Sequence, residues 1–133
     1  MTTPLGDQFR AIMPYLYVRD MARTLAFYTE KLGFRDPWTW GEPVTDGGCT
    51  NGVISLIFAQ DPAQAERVNG EQHAEIILFV RSVDAVYQAC IEREVPVLGP
   101  PRDEAWGVRE FTAVDPDGYY LRISRGQGHD HDD

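Results

Sequence analysis

Two segments of this 133-residue chain repeat one another, and this repeat constrains the fold more than any other feature of the sequence. Leu16–Met21 lines up with Leu78–Val83 at a constant offset of 62 residues, from Leu16 to Leu78. In each copy an apolar strand leads into Asp20 or Ser82, residue types whose side-chain oxygen accepts from the free N–H groups of a first helical turn. The repeat therefore predicts one supersecondary unit used twice.

A helix and three short strands follow each copy. Apolar residues recur at helical spacing over Met21–Leu32 and over Val83–Glu94, and turn chemistry at Gly33 and Pro96 ends the two helices. Stretches rich in β-branched and aromatic residues come next, separated by Gly, Pro and Asp, which is typical of strands. They span residues 34–41, 44–49 and 53–59 in the first half and 95–98, 108–114 and 119–124 in the second. The pattern predicts an α+β protein of paired βαβββ modules that form a cupped sheet.

The length is enough for one domain with a real core and too short for two domains of usual size, so residues 1–133 are predicted to form a single domain. Its two modules span about residues 10–59 and 74–125. Residues 60–73 are polar and are interpreted as a linker, with a helical turn over Pro62 to Val68. The tail, residues 126–133, is mostly Gly, His and Asp and is predicted to be disordered.

Composition argues against several classes of function. The formal net charge of -9 opposes binding to nucleic acid and to anionic membranes, since both need clustered Lys and Arg. The sequence has no run of about 18 apolar residues, and residues 1–10 lack the basic and apolar regions of a signal peptide, which predicts a cytoplasmic protein. Cys49 and Cys90 lack the partner spacing of a zinc site and are expected to be free thiols.

Five motifs carry a resemblance to a known family. In chain order they are Pro14–Asp20, Leu25–Tyr28, Lys31–Phe34, Trp106–Phe111 and Asp115–Gly118. Together they resemble the vicinal-oxygen-chelate superfamily of glyoxalases, bleomycin-resistance proteins and dioxygenases, over about residues 10 to 125. The Trp-Gly, Arg-Glu-Phe and Asp-Pro-x-Gly elements are most similar to the antibiotic-binding, bleomycin-resistance branch. Fold resemblance alone does not settle function, so the site residues must decide.

The resemblance also implies where a metal would be held. Family members that do chemistry place four His, Gln or Glu ligands on the first and last strands of the modules, and those positions correspond here to Met13, Leu56, Glu75 and Arg122. A thioether, an alkyl chain and a guanidinium do not suit a divalent ion, so only Glu75 could coordinate one. An arginine beside a carboxylate would form a charge-assisted pair instead. No metal and no cofactor are therefore expected.

Strand alternation extends this set into a candidate ligand site, because every second side chain of a strand points to the same face. An apolar cup with a few polar groups suits a small molecule. The candidate ligand-binding residues are Met13, Tyr15, Trp38, Trp40, Leu56, Phe58, Glu75, Trp106, Tyr120 and Arg122. Tyr15, Tyr17 and Phe79 could equally fill core, whereas the tryptophans lie in polar, turn-flanked surroundings that favour ligand contact.

Two residues gain a role from the resemblance. In bleomycin-resistance proteins the Trp that corresponds to Trp106 stacks on the planar part of the drug. This chain departs from that motif by one inserted residue, Val108. Pro14 matches a branch in which the N-terminal strand is exchanged between subunits, which implies a homodimer with two sites at the subunit junction.

Three functions compete. The first is non-catalytic sequestration of an antibiotic or related natural product with planar aromatic groups, such as a bleomycin-like or quinoxaline-like peptide. The second is a metal-dependent lyase, dioxygenase or thiol-transferase with ligands elsewhere in the chain; the histidines are His73, His129 and His131, and the last two lie in the tail. The third is a structural or regulatory domain whose cup is filled by its own side chains.

Overall fold

The structure, a computed structural model, describes residues 2–126 and contains two four-stranded sheets. The first half holds β1 (Tyr15–Val18), α1 (Met21–Ala26), β2 (Arg35–Trp40), β3 (Asp46–Asn51) and β4 (Ile54–Gln60). The second half holds β5 (Glu75–Phe79), α3 (Val83–Glu92), β6 (Arg102–Asp103), β7 (Arg109–Val114) and β8 (Tyr120–Arg125), and α2 (Pro62–Asn69) joins the halves. The predicted α+β class with paired βαβββ modules is confirmed.

The sequence repeat is also a repeat of topology. The strand orders are β1-β4-β3-β2 and β5-β8-β7-β6, and in each sheet only the first pair is parallel. Tyr15 stands opposite Ile57 in one sheet, and Ile77 stands opposite Arg122 in the other. Tyr15 and Ile77 are 62 residues apart, the offset of the repeat, so the two registers can be compared position by position.

Both repeat helices begin at the predicted caps. The backbone N–H of Arg23 donates to Asp20 Oδ1 at 3.1 Å, and that of Ala85 donates to Ser82 Oγ at 3.1 Å. A π-helical turn, Phe27–Lys31, continues α1. The predicted helical turn in the linker is the two-turn helix α2. Across residues 2–126 no helix has the length and apolar character needed to cross a bilayer.

The core lies between the helices and one face of each sheet. In β1, Leu16 and Val18 are buried while Tyr15 is exposed, so alternation along the strand separates a helix-covered face from an open face. Tyr28, which is fully buried, stacks on Phe58 with ring centroids 5.4 Å apart. One face of each sheet is therefore used for stability, and the other is left open.

A tight turn fastens the two modules to one another. In the predicted turn Asp115–Gly118, the N–H of Gly118 donates to the carbonyl of Asp115 at 3.0 Å, and Gly118 has φ +93°. The carboxylate of Asp117, which is buried, accepts from the backbone N–H of Arg19 at 2.8 Å and from Thr24 Oγ1 at 3.2 Å. Charge-assisted bonds of this kind are among the stronger ones in proteins, so the turn anchors the first module.

The predicted strand over residues 95–98 is absent: Val97 makes only an isolated bridge to Ala113, and the first strand after α3 is β6. Pro96 has no N–H to donate, which prevents a full ladder at that place. The tail predicted to be disordered, residues 126–133, lies outside the described residues except for Gly126.

Candidate functional site

The open side of the first sheet is an aromatic face, defined here by Tyr15, Tyr17, Trp38, Trp40 and Ile57. Tyr15 is 52% exposed, Trp38 44% and Trp40 69%. The register places Tyr15 against Ile57, and Trp38 and Trp40 follow from β2 with alternate spacing. Clustered apolar exposure of this extent is typical of interaction sites.

One hydrogen bond fixes the polar end of this face. Tyr15 Oη donates to Asp46 Oδ2 at 3.2 Å, and the Tyr15 and Tyr17 rings meet edge to face with centroids 5.8 Å apart. Partial desolvation, followed by the bond to Asp46, raises the pKa of Tyr15. The phenol is therefore a hydrogen-bond donor to the Asp46 carboxyl group at this end of the face.

The open side of the second sheet carries a polar cluster, called here the polar face and defined by Glu75, Glu110, Thr112, Tyr120 and Arg122. Ile77 and Phe79 of β5, 46% and 62% exposed, lie on the same side of the sheet. Arg122 Nε and Nη2 donate to the two oxygens of Glu75 at 3.0 and 2.9 Å, which is the pair that the sequence predicted. Arg122 Nε also lies 4.0 Å from Glu110 Oε1. His73 stacks on Tyr120 with ring centroids 4.2 Å apart. This face holds one guanidinium between two carboxylates.

A cavity of about 460 Å³ opens on this polar face. Its charged lining consists of Glu75, Glu104, Glu110, Arg102 and Arg122, and Leu98–Pro100 close one side. A volume in this range is that of a small-molecule site, and mixed acidic and basic walls favour hydrogen-bonding or zwitterionic groups. Glu104 and Thr112 also line the cavity, although the sequence did not predict them as site residues.

The predicted facing of β4 is wrong. Leu56 and Phe58, expected in the cup, are 2% and 0% exposed and belong to the core. The residue of β4 that corresponds to Arg122 is Ile57, which lies five residues after Gly52, whereas Arg122 lies four after Gly118. A shift of one residue moves every side chain of a strand to the other face. The parallel register with β1, traced through the 62-residue offset, could have located Ile57.

The remaining predicted residues are exposed but do not meet in one place. Trp106 is 63% exposed in the turn between β6 and β7, where the N–H of Gly107 donates to the carbonyl of Glu104 at 3.0 Å. Trp38 and Trp40 lie on the other sheet. Met13, 51% exposed, lines a separate apolar groove of about 390 Å³ with residues 53–56 and 76–78. Within one chain the aromatic face and Trp106 are thus on different sheets.

The four positions at which related enzymes hold a metal do not fit a divalent ion. Met13 offers a soft thioether, Ile57, which the register puts in place of Leu56, offers an alkyl chain, and both oxygens of Glu75 accept from Arg122. Among residues 2–126 no group of three His, Cys, Asp or Glu side chains is gathered as a metal site would require. The expectation of a metal-free, cofactor-free protein stays a prediction.

The Glyoxalase/Bleomycin resistance protein/Dioxygenase superfamily model matches residues 8–123. A comparison with curated protein sequences finds no match.

Solved structures share the fold. A bleomycin resistance determinant encoded on the transposon Tn5 has 23% identity and a TM-score of 0.74, covering 90% of this chain and 99% of its own. A bleomycin-binding protein complexed with bleomycin has 23% identity and a TM-score of 0.72, with 90% and 100% covered. TioX from Micromonospora sp. ML1 has 17% identity and a TM-score of 0.73, also with 90% and 100% covered. With the family model spanning nearly all of both modules, the chain belongs to the glyoxalase/bleomycin resistance protein/dioxygenase superfamily.

Proposed function

We propose that this protein binds and sequesters an antibiotic or related natural product with planar aromatic groups, such as a bleomycin-like or quinoxaline-like peptide, and returns it unaltered. Resistance follows because drug held in the cytoplasm does not reach its target. The observation that carries the proposal is the open aromatic face, on which Tyr15, Trp38 and Trp40 are each more than two-fifths exposed. The similar fold of a bleomycin-binding protein supports it.

Stacking supplies the affinity in this account. Each planar ring that stacks on an indole or phenol gains about 0.5–1.5 kcal/mol beyond the area it buries, and burial adds to this. Two or three such contacts on Trp38, Trp40 and Trp106 would hold a large flat ligand. Such contacts transfer no proton and supply no nucleophile, so they bind a ligand without altering it.

Charged side chains of the polar face determine which ligands are favoured. The charge of Glu75 is balanced by its two bonds to Arg122, whereas the ion pair of Glu110 within residues 2–126 is the longer 4.0 Å approach to that guanidinium. The Glu110 side chain is 15% exposed and lines the cavity of the polar face. An acceptor so placed favours ligands with a cationic or hydrogen-bond-donating group.

A homodimer is part of the proposal. In one chain the aromatic face and the polar face lie on separate sheets, and a second copy would bring the aromatic face of one subunit against the polar face of the other. Leu5, Phe9 and Ile12 are 64%, 87% and 95% exposed before β1, and apolar side chains of this kind are usually covered by a partner. Sedimentation should give twice the 15.0 kDa of one chain; a monomer at micromolar concentration contradicts this arrangement.

Calorimetric titration with bleomycin and with a quinoxaline peptide, followed by mass spectrometry of the recovered compound, tests the function. We expect saturable binding and an unchanged mass. A recovered drug with an altered mass would overturn sequestration. One Mn, Fe, Ni or Zn per subunit, removed only by strong chelator and required for that alteration, would instead establish a metal-dependent enzyme.

A further inference from the structure

Two adjacent glycines of β3 face opposite sides of the sheet. A Cβ on Gly47 would lie 2.6 Å from Met21 Sδ, on the core side. A Cβ on Gly48 would lie 2.7 Å from Trp38 Nε1 and 2.9 Å from Trp38 Cε2, on the aromatic face, and 2.6 Å from the backbone carbonyl oxygen of Leu56. Gly48 is buried although its face of the sheet is open. The Trp38 indole therefore lies directly against the backbone of Gly48.

The backbone at position 48 does not itself require glycine. Gly48 lies outside the left-handed region, unlike Gly52 with φ +61°. Glycine inside a strand weakens it and typically marks the close approach of another group. Here two groups approach, the Leu56 carbonyl of the neighbouring strand and the indole of Trp38, which stands directly opposite Gly48 in the ladder.

Trp40 provides an internal contrast. It stands opposite Asp46, which carries a side chain, and it is 69% exposed against 44% for Trp38. Two indoles on one strand and one face thus differ in whether the facing residue leaves room for the ring. Of these two indoles, only that of Trp38 lies against a glycine, and this contact with Gly48 is called the seat of Trp38.

We propose that Gly48 is a positioning residue, which lets the Trp38 indole lie against β3 as a fixed stacking platform for a planar ligand. An aromatic side chain that is held in place before binding loses less conformational entropy when the ligand arrives. The ligand step rests on the proposed function, but the seating of the indole does not. The two parts are therefore tested separately.

The first test leaves Gly48 intact. A ring that lies on a Cα shifts its Hα resonances through the ring current, so one Gly48 Hα signal should stand upfield of its strand value in the NMR spectrum. In Trp38→Leu it should return to that value. The signals of Gly52, where an added Cβ would meet no atom within 4 Å, should stay in place. Gly48 signals that do not respond to Trp38→Leu would overturn the seat.

The second test changes the seat. In a protein whose only tryptophan is Trp38 (Trp40→Phe, Trp106→Phe), Gly48→Ala should raise acrylamide quenching by up to about two-fold, because the indole can gain at most the 56% of its area now covered. Gly47→Ala is the matched control. Its Cβ would approach Met21 and the Trp38 carbonyl, at 2.9 Å, so it should lower stability without changing quenching. Equal quenching in both variants contradicts the proposal.

The third test measures bleomycin affinity in a double-mutant cycle. Gly48→Ala should weaken binding by about five-fold, the cost of ordering one side chain, when Trp38 is present and should have no effect in Trp38→Ala. Equal weakening in both backgrounds overturns the positioning role. If the wild-type protein binds neither bleomycin nor a quinoxaline peptide, both the proposed function and the stacking of a ligand on Trp38 are refuted. The NMR and quenching results still test the contact between Trp38 and Gly48. If Gly48→Ala fails to fold, the NMR comparison decides.

Discussion

Tyr28 Oη donates a 2.8 Å hydrogen bond to Asp115 Oδ2, and both residues are buried. The bond joins the π-helical turn of the first module to the turn before β8 of the second. Asp115 Oδ1 also accepts from the backbone N–H groups of Asp117 and Tyr119, each at 2.9 Å. This carboxyl group therefore organises the junction between the modules.

The junction should make stability depend on pH. Burial raises the pKa of Asp115 from 3.8 to about 6, although its hydrogen bonds act in the opposite direction. A carboxyl whose pKa is higher in the folded state stabilises the protein fully below 3.8 and loses that contribution as pH rises through about 6. Over this window wild type should lose roughly 3 kcal/mol relative to Asp115→Asn, which keeps an acceptor and carries no charge. Urea unfolding at pH 4 and pH 7.5 measures both; parallel pH dependence in the two proteins would refute the assignment.

The corrected facing of β4 gives a paired prediction. Leu56→Ala should lower the free energy of unfolding by about 2–5 kcal/mol, because it opens a cavity in the core. Ile57→Ala, its neighbour on the aromatic face, should cost far less stability and should weaken bleomycin binding. Denaturation and titration of both variants check this, and the reverse pattern would restore the original facing.

Substitution of Trp106 tests whether this residue contacts the ligand or belongs to the core. It is 63% exposed, so Trp106→Ala should change stability by no more than about 0.5 kcal/mol. Loss of its stacking face should cost roughly 2 kcal/mol or more of binding, as central aromatic anchors do. Both quantities are measured on the one variant. Unchanged affinity with a sharply lowered melting temperature would return the residue to a structural role.

The polar face should discriminate ligand charge. Glu110→Gln should weaken binding of 9-aminoacridine, a planar cation, by roughly 1–2 kcal/mol and leave binding of neutral acridine nearly unchanged. Glu71→Gln alters the net charge equally but lies at the surface after α2, so it serves as control. Fluorescence titration of the two dyes at pH 8 provides the comparison. A loss of equal size for both dyes would exclude a charge-selective role.

The sequence predicted those parts of the fold that depend on local chemistry. The caps at Asp20 and Ser82 and the turn at Asp115–Gly118 follow from residue types at short spacing, and the module repeat follows from matching segments 62 residues apart. The carboxylate–guanidinium pair of Glu75 and Arg122 was also predicted, because the family resemblance placed both residues at metal-ligand positions of the same site.

What failed depends on register and on distant partners. Leu56 lies four residues after Gly52, as Arg122 lies four after Gly118, but the extra residue before Ile57 reverses the face. The bond from Tyr28 to Asp115 spans 87 residues and has no local signature. The seat of Trp38 on Gly48 depends on the pairing of β2 with β3, which apolar periodicity alone does not specify.

The most direct test of ligand binding is a tryptophan-fluorescence titration of the wild-type protein against antibiotics of several scaffolds. Trp38, Trp40 and Trp106 are all exposed, so a planar ligand that stacks on any of them should quench their emission. We expect saturable quenching at micromolar or lower concentration by bleomycin-like or quinoxaline-like peptides, and none by antibiotics that lack a planar ring system. Absence of saturable quenching by every planar compound, or equal quenching by compounds without planar rings, would contradict the account.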